Sequence, residues 1–198
     1  MRRPLDHASI EQLFLSARSY NAWSEQHVGD GQVRQIYELI KFGPTSTNGS
    51  PARFVCVRSP EGKQKLADCV WGYNAPKILK APLTVIVGYD LAFSEFLPQL
   101  HPSRAEIYRK LFLGDPKFNQ ISAFRNSSLQ GAYLIIAARA LGFDCGPMEG
   151  FDSAAVDEAF FAGTNIKSNF ICSIGIGSHE SLFPRNPRLT FDQANNFA

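Results

Sequence analysis

The stretch Gly146–Asp152, reading GPMEGFD, follows directly on a long apolar run, and the reading of that junction decides the fold. The run extends from Ile121 to Leu141. Leu129, Ala132, Tyr133, Ile136, Ala140 and Leu141 recur in it at helical spacing, and Ile135, Ala137 and Ala138 fill part of the opposite face. The pattern predicts a helix buried nearly all round. Gly142 sits where a left-handed C-cap belongs. A central helix needs neighbours on every side. This one hands the chain to a segment dense in Gly and Pro, where backbone N–H groups can be bared to a ligand and a missing Cβ lets a flat ligand approach. The plainer alternative is a helix stop followed by a turn.

Working outward, Asn169–Gly177 reads as the last strand, and Asp152 or Ser153 caps a short helix to Phe161 between the two. Upstream, Pro82–Tyr89 (PLTVIVGY) is strongly β-branched and reads as a central strand. A second strand covers Arg53–Arg58, and Ser59-Pro60 opens a helix after it. A first helix is predicted over Ala8–Ala17. A second is capped by Asp30, striped with Val33, Ile36, Tyr37 and Ile40, and ended by Gly43-Pro44. Leu91–Phe118 is broken by Pro98, Pro102, Gly114 and Pro116 and reads as a lid or excursion, while Ser178–Ala198 reads as an extended tail. Strands separated by helices, with no linker or internal repeat, predict one α+β layered domain over residues 1–198.

The 198 residues are enough for a real core, and 44% hydrophobic with 19% charged residues is an ordinary soluble balance. A net charge of +2 argues against nucleic acid as a partner, and no basic run exceeds Arg2–Arg3, a pair read as a solvated N-terminus. No apolar run is long enough to span a bilayer, and no signal-peptide core precedes Asp6, so a cytoplasmic protein is expected. Cys56, Cys69, Cys145 and Cys172 show no metal-ligand spacing. Three lie in or beside apolar runs, so buried free thiols are expected. His7, His27, His101 and His179 are scattered, so no metal site is expected. Gly175-x-Gly177 lacks the third glycine and the following helix of a dinucleotide loop. No Ser, His and Asp arrangement carries a nucleophile-elbow signature. Sixteen Phe suit a large interior or an oligomer interface.

Five stretches make a pattern that none makes alone: Arg18-Ser19-x-Asn21, Gly43-Pro44-Thr45-Ser46-Thr47-Asn48, Asn74-x-x-Lys77, Pro147-Met148-Glu149-Gly150 and Arg185-Asn186-Pro187-Arg188-Leu189. In this order the chain resembles the FMN-dependent nitroreductase family, over roughly Ser9 to Leu189. The wording ARSYNAW, GPTSTNGSPARF, NAPKILKAPLTVIVGYD, FRNSSLQGAYLIIAARALG and GPMEGFD resembles the malonic semialdehyde reductase (RutE / HadB) subfamily of pyrimidine breakdown.

The resemblance implies an α+β fold with a mostly antiparallel sheet flanked by helices, built as an intertwined homodimer with FMN at the interface. It implies that Arg18, Ser19 and Asn21 hold the phosphate and ribityl chain, and that Pro44, Thr45, Ser46 and Asn48 reach the flavin from the partner chain. Asn74 and Lys77 would meet the pyrimidine edge, and Pro147, Met148, Glu149 and Gly150 would lie along the ring. Arg188, with Arg185 beside it, would close on the phosphate. Glu149 could be a general base, but a backbone role is preferred, so no side chain is expected to be catalytic. Chemistry agrees: a reduced flavin is anionic and suits a lysine, and a phosphate suits guanidinium forks. The activity implied is that of an FMN-dependent NAD(P)H oxidoreductase acting on malonic semialdehyde, with a broad nitro or quinone reductase as the alternative. A non-catalytic FMN-binding protein is the rival from another class. Two departures stand out. Ala17 and Asn21 occupy positions that are usually basic, and Ala52-Arg53 replaces a common Trp; Arg53 could face substrate or sit at a strand edge.

Overall fold

The protein is described from a computed structural model covering residues 3–198, with the side chain of Ser181 left out; Arg2, half of the basic pair above, lies outside the described residues. Helix α1 (His7–Ile10) continues as a wider turn over Glu11–Leu15, so the first helical segment is shorter than expected and stops before Ala17. Helix α2 (Asp30–Ile40) precedes strand β1 (Ala52–Val57), and α3 (Pro60–Ala67) and α4 (Ala75–Lys80) lead into β2 (Leu83–Asp90). The excursion is helical, with α5 (Leu97–Leu100) and α6 (Ala105–Gly114). Helix α7 (Pro116–Ala140) then runs to β3 (Asp144–Met148), followed by α8 (Ser153–Phe161), β4 (Ile166–Gly175) and a tail with a 3-10 turn at His179–Ser181 and the short α9 (Phe191–Ala194).

Among the described residues four strands form one antiparallel sheet in the order β1-β2-β4-β3. All eight residues of β2 are buried, as its continuous apolar reading requires of a strand covered on both faces. On one face Leu83, Val85 and Val87 pack with Ile36 and Ile40 of α2 and Leu134, Ala137 and Ala138 of α7. On the other, Ile86 and Ile171 pack with Leu66, Ile78, Val156 and Phe161 from α3, α4 and α8. A third cluster, around Phe93, Leu97 and Phe112, ties the excursion to Ala123 of α7.

Three expectations are corrected. First, α7 begins five residues early, because Asp115 accepts a hydrogen bond from Phe118 N and Pro116 suits the first turn. Second, α7 is not buried all round. Ile121, Phe124 and Leu129 are 42%, 47% and 43% exposed, while the polar Ser122, Asn126, Ser127 and Gln130 are buried. Third, Cys56 is exposed and Cys69 only half-buried. Cys145 and Cys172 are buried, and a hydrogen bond to Cys145, together with burial, pushes the Cys172 thiol well up. Gly142 does take the left-handed cap conformation, at φ 82°.

Asp152 rather than Ser153 caps α8, accepting from Ala154 N at 2.9 Å and Ala155 N at 3.1 Å. Asp152→Ala should lower unfolding free energy by about 1 kcal/mol. Urea titration of the two proteins, compared at equal slope, reads this directly; an unshifted midpoint would contradict it.

Candidate functional site

Gly146, Pro147 and Met148 are not a bared turn. They belong to β3, paired with Ser173, Cys172 and Ile171 of β4. Pro147 is tolerated because β3 is an edge strand, where a missing N–H costs no ladder bond. The free edge of β3 receives the N-terminal segment: Ser19 bridges Cys145, and Tyr20 N donates to Cys145 O at 3.0 Å. The predicted Arg18-Ser19-x-Asn21 and Pro147–Gly150 stretches therefore attach to the same strand.

Glu149 and Gly150 form the turn that leaves it. Phe151 N donates to Glu149 O at 3.0 Å, and the Gly150 carbonyl accepts from Trp71 N at 3.1 Å and from Asn74 Nδ2 at 3.0 Å. Asn74 stands at the N-cap position of α4 without a side-chain capping bond; it is only 3% exposed, and its amide is held instead by Gly150 O and Lys77. Its Oδ1 accepts from Lys77 Nζ at 3.1 Å, one helical turn on. Lys77 Nζ also lies 5.5 Å from the centre of the Tyr73 ring. Burial pulls the Lys77 pKa below the ordinary lysine value. Asn74, Lys77 and Gly150 are thus one hydrogen-bonded unit, although Gly150 lies 76 residues from Asn74.

The tail joins the N-terminal segment. Arg18 Nη2 donates to Phe183 O, and Arg185 Nη2 donates to Leu15 O at 2.7 Å and Ala17 O at 3.0 Å. The two arginines form a reciprocal latch, and Arg185 supplies charge next to the position where Ala17 lacks it. Arg188 turns back on its own carbonyls at Asn186 and Pro187. Among the described residues no hydrogen bond ties Arg188 to Arg18.

Pro44, Thr45, Ser46 and Asn48 stand elsewhere. Ser46 N donates to Asn126 Oδ1 at 2.7 Å, Asn48 Nδ2 to Leu100 O at 2.8 Å, and Tyr133 OH to Pro44 O at 3.0 Å. Among the described residues no hydrogen bond links this loop to Lys77 or Gly150. Pro44 and Asn48 edge a broad cleft of about 1310 Å³, lined also by Phe42, Arg53, Phe96 and Leu100. Arg53 is a structural anchor there: it pairs with Asp90 at 2.7 Å, donates to Ser50 O at 3.0 Å and stacks on Phe96.

The donor set suits an anion. Among the described residues, the ion pairs engage Arg53, Arg58, Arg109, Lys41, Lys167 and His7, and none engages Arg18, Lys77, Arg185 or Arg188. Ten other lysines and arginines among the described residues are equally without a carboxylate partner, so it is the residue chemistry, guanidinium forks for a phosphate and an ammonium for a ring that gains negative charge on reduction, that suits these four to an anionic ligand. Among the described residues no group of acidic, His and Cys side chains could hold a metal ion, and no helix is long and apolar enough to cross a membrane.

Residues 15–178 match the Nitroreductase family. The chain belongs to that family. This nitroreductase is 58% identical over 190 residues to a "Putative NADH dehydrogenase/NAD(P)H nitroreductase" of Caulobacter sp. (strain K31), with 96% of each chain covered. It is 54% identical over 192 residues to a Ralstonia pickettii relative of the same description, HadB, with 96% of this chain and 97% of the relative covered. Its fold matches ydfN of Bacillus subtilis at TM-score 0.89 and 20% identity, over 98% of this chain and 100% of that one. It also matches a protein of Exiguobacterium sibiricum, solved in complex with FMN, at TM-score 0.84 and 20% identity, over 100% and 99% of the two chains.

Sequence reading missed the polar face of this nitroreductase's α7. Ser122, Asn126 and Gln130 recur every four residues, a helical stripe of small polar and amide side chains. That spacing was the available signal.

Proposed function

We propose that this nitroreductase is an FMN-dependent NAD(P)H oxidoreductase of one domain, that its acceptor is malonic semialdehyde, reduced to 3-hydroxypropanoate in pyrimidine degradation, and that it works as a cytoplasmic homodimer. The observation that carries the flavin reading is the buried Asn74 amide, which joins Lys77 to the Gly150 turn beside strand β3. FMN in a related structure and NAD(P)H in the relatives' names support the same cofactors here. The aldehyde rests on the resemblance of GPTSTNGSPARF, NAPKILKAPLTVIVGYD and GPMEGFD to the malonic semialdehyde reductases.

The residues divide the work. Arg18, Ser19, Asn21, Arg185 and Arg188 supply donors and charge for the phosphate and ribityl chain. Asn74 and Lys77 address the polar edge of the ring, and Pro147, Met148, Glu149 and Gly150 wall it. Bound FMN supplies the two-electron chemistry between NAD(P)H and the acceptor. Lys77 contributes positive charge where reduction adds negative charge, and its partly desolvated position strengthens that effect. Pro44, Thr45, Ser46 and Asn48 complete the site from the second chain. The lack, among the described residues, of any hydrogen bond from this loop to Lys77 within one chain, and the apolar Ile121, Phe124 and Leu129 left exposed on α7, support the dimer.

The purified protein is expected to show flavin absorption bands after incubation with FMN, to scatter light as a dimer at micromolar concentration, and to oxidise NADH or NADPH when given malonic semialdehyde. A colourless monomer would overturn the reading. Turnover with nitro compounds or quinones but not with the aldehyde would favour a broad nitro and quinone reductase, a second reading that the relatives' names support. Flavin binding without turnover of any acceptor would make it a flavin carrier.

A further inference from the structure

The loop after α2 holds three non-glycine residues in the left-handed region: Thr47 at φ 55°, Asn48 at φ 54° and Ser50 at φ 42°. A β-branched threonine rarely stays there, and such conformations persist only where the surroundings over-determine them. Part of the restraint is local. Thr45 Oγ1 accepts from Ser50 N at 3.1 Å, and Gly49 N donates to Ser46 O at 2.9 Å. Asn48 Nδ2 also donates to Leu100 O at 2.8 Å, and two further contacts come from α7, about 80 residues away. Asn126 Oδ1 takes the Ser46 N–H at 2.7 Å, and Gln130 Oε1 takes the Ala52 N–H at 2.9 Å. These contacts bracket the strained residues from both ends. Asn126 and Gln130 are 5% and 6% exposed, and Asn126 Nδ2 is itself anchored on Ser122 O at 2.8 Å. One helical turn separates the two amides, so a rigid helix sets the distance between the two ends of the loop. An apolar pair at these positions would fill the same space and leave two loop N–H groups unpaired.

We propose that Asn126 and Gln130 are positioning residues, which hold the Pro44–Asn48 loop in its strained shape so that the loop is preformed for the cofactor. The inference rests on the reading above that this loop faces FMN. It assigns neither amide a contact with the ligand. Without the bracket, Thr47 relaxes out of the left-handed region, and FMN must pay the restoring cost on binding.

The test is FMN titration by fluorescence quenching on the purified protein, with circular dichroism and thermal unfolding alongside. Asn126→Ala is expected to weaken FMN binding by roughly tenfold with the helical signal retained, the factor that goes with one buried hydrogen bond lost. Gln130→Met keeps the packing volume and carries the same prediction through the other end of the loop, should Asn126→Ala fail to fold. The decisive arm is the Asn126→Ala/Thr47→Gly double variant. Glycine reaches φ 55° without steric cost, so it is expected to regain most of the lost affinity, which a general loosening of the core would not allow. Wild-type affinity in Asn126→Ala and Gln130→Met, or no recovery in the double variant, overturns the proposal. Failure of the wild-type protein to bind FMN would instead overturn the flavin reading itself.

Discussion

Gly150→Ala should both destabilise the protein and weaken its hold on FMN. A Cβ built on Gly150 lies 2.6 Å from Tyr73 OH, 2.8 Å from Asn74 Nδ2 and 2.9 Å from Trp71 Cε3. Real side chains do not sit at such distances, so something must move. Tyr73 is 63% exposed and can swing away. Asn74 is buried, and its Nδ2 holds the carbonyl of the residue being changed. Displacing that amide also withdraws the Oδ1 that accepts from Lys77. Overpacking of this kind costs about 1–3 kcal/mol, read as a lower urea midpoint. A lysine that loses its orienting partner should weaken FMN affinity by about tenfold or more. Unchanged stability and affinity would mean that the turn yields freely and that Gly150 is not the point where Asn74 and Lys77 are fixed.

Lys77→Met is expected to act on the redox equilibrium instead. Methionine keeps most of the stem and removes the charge. A charge-assisted contact is worth on the order of 1.5–3 kcal/mol. For a two-electron couple, about 30 mV corresponds to 1.4 kcal/mol, so the bound-flavin potential should fall by roughly 30–60 mV. FMN affinity should drop less than in Arg188→Ala, because the phosphate donors remain. The pH dependence follows from the lowered Lys77 pKa, whose cause is burial. At alkaline pH, once the lysine loses its proton, the wild-type side chain is neutral too, so the difference in potential should shrink there; an anionic flavin beside Lys77 would move that loss to higher pH than in the free protein. In the free protein, between the lowered value and the ordinary lysine value, the unfolded chain binds the extra proton, so stability contributed through Lys77 rises with pH. A redox titration of both proteins at neutral and alkaline pH settles the matter. Equal potentials at neutral pH would make Lys77 a solvated helix residue.

Much of the scaffold was legible because local rules and tertiary need agree there. The continuous β-branched run of β2 could only be a strand covered on both faces, and it is. Gly142 and Asp152 were readable as caps because capping is decided within a few residues. Asn74 and Lys77 were readable as a pair because helical spacing alone brings i and i+3 together. The partner of that pair was less legible. GPMEGFD reads as a turn, yet its first three residues are an edge strand, because β4 offers a ladder that composition does not reveal. The Arg18–Arg185 latch joins segments more than 160 residues apart and leaves no local trace.

By itself the sequence determined the class, the central strand, the family motifs and the types of side chain available to an anion, since each depends on short-range periodicity or residue chemistry. Tertiary structure decided which faces those elements use. In α7 the apolar Ile121, Phe124 and Leu129 turn outward, and the polar Asn126 and Gln130 turn inward. A hydrophobic pattern predicts the reverse. The reason is that burying a backbone N–H without a partner costs more than burying an amide that satisfies it. The N–H groups of Ser46 and Ala52, on either side of a left-handed loop far away in the chain, meet the two amides of α7, while Ala123, Leu134, Ala137 and Ala138 of the same helix pack into the core.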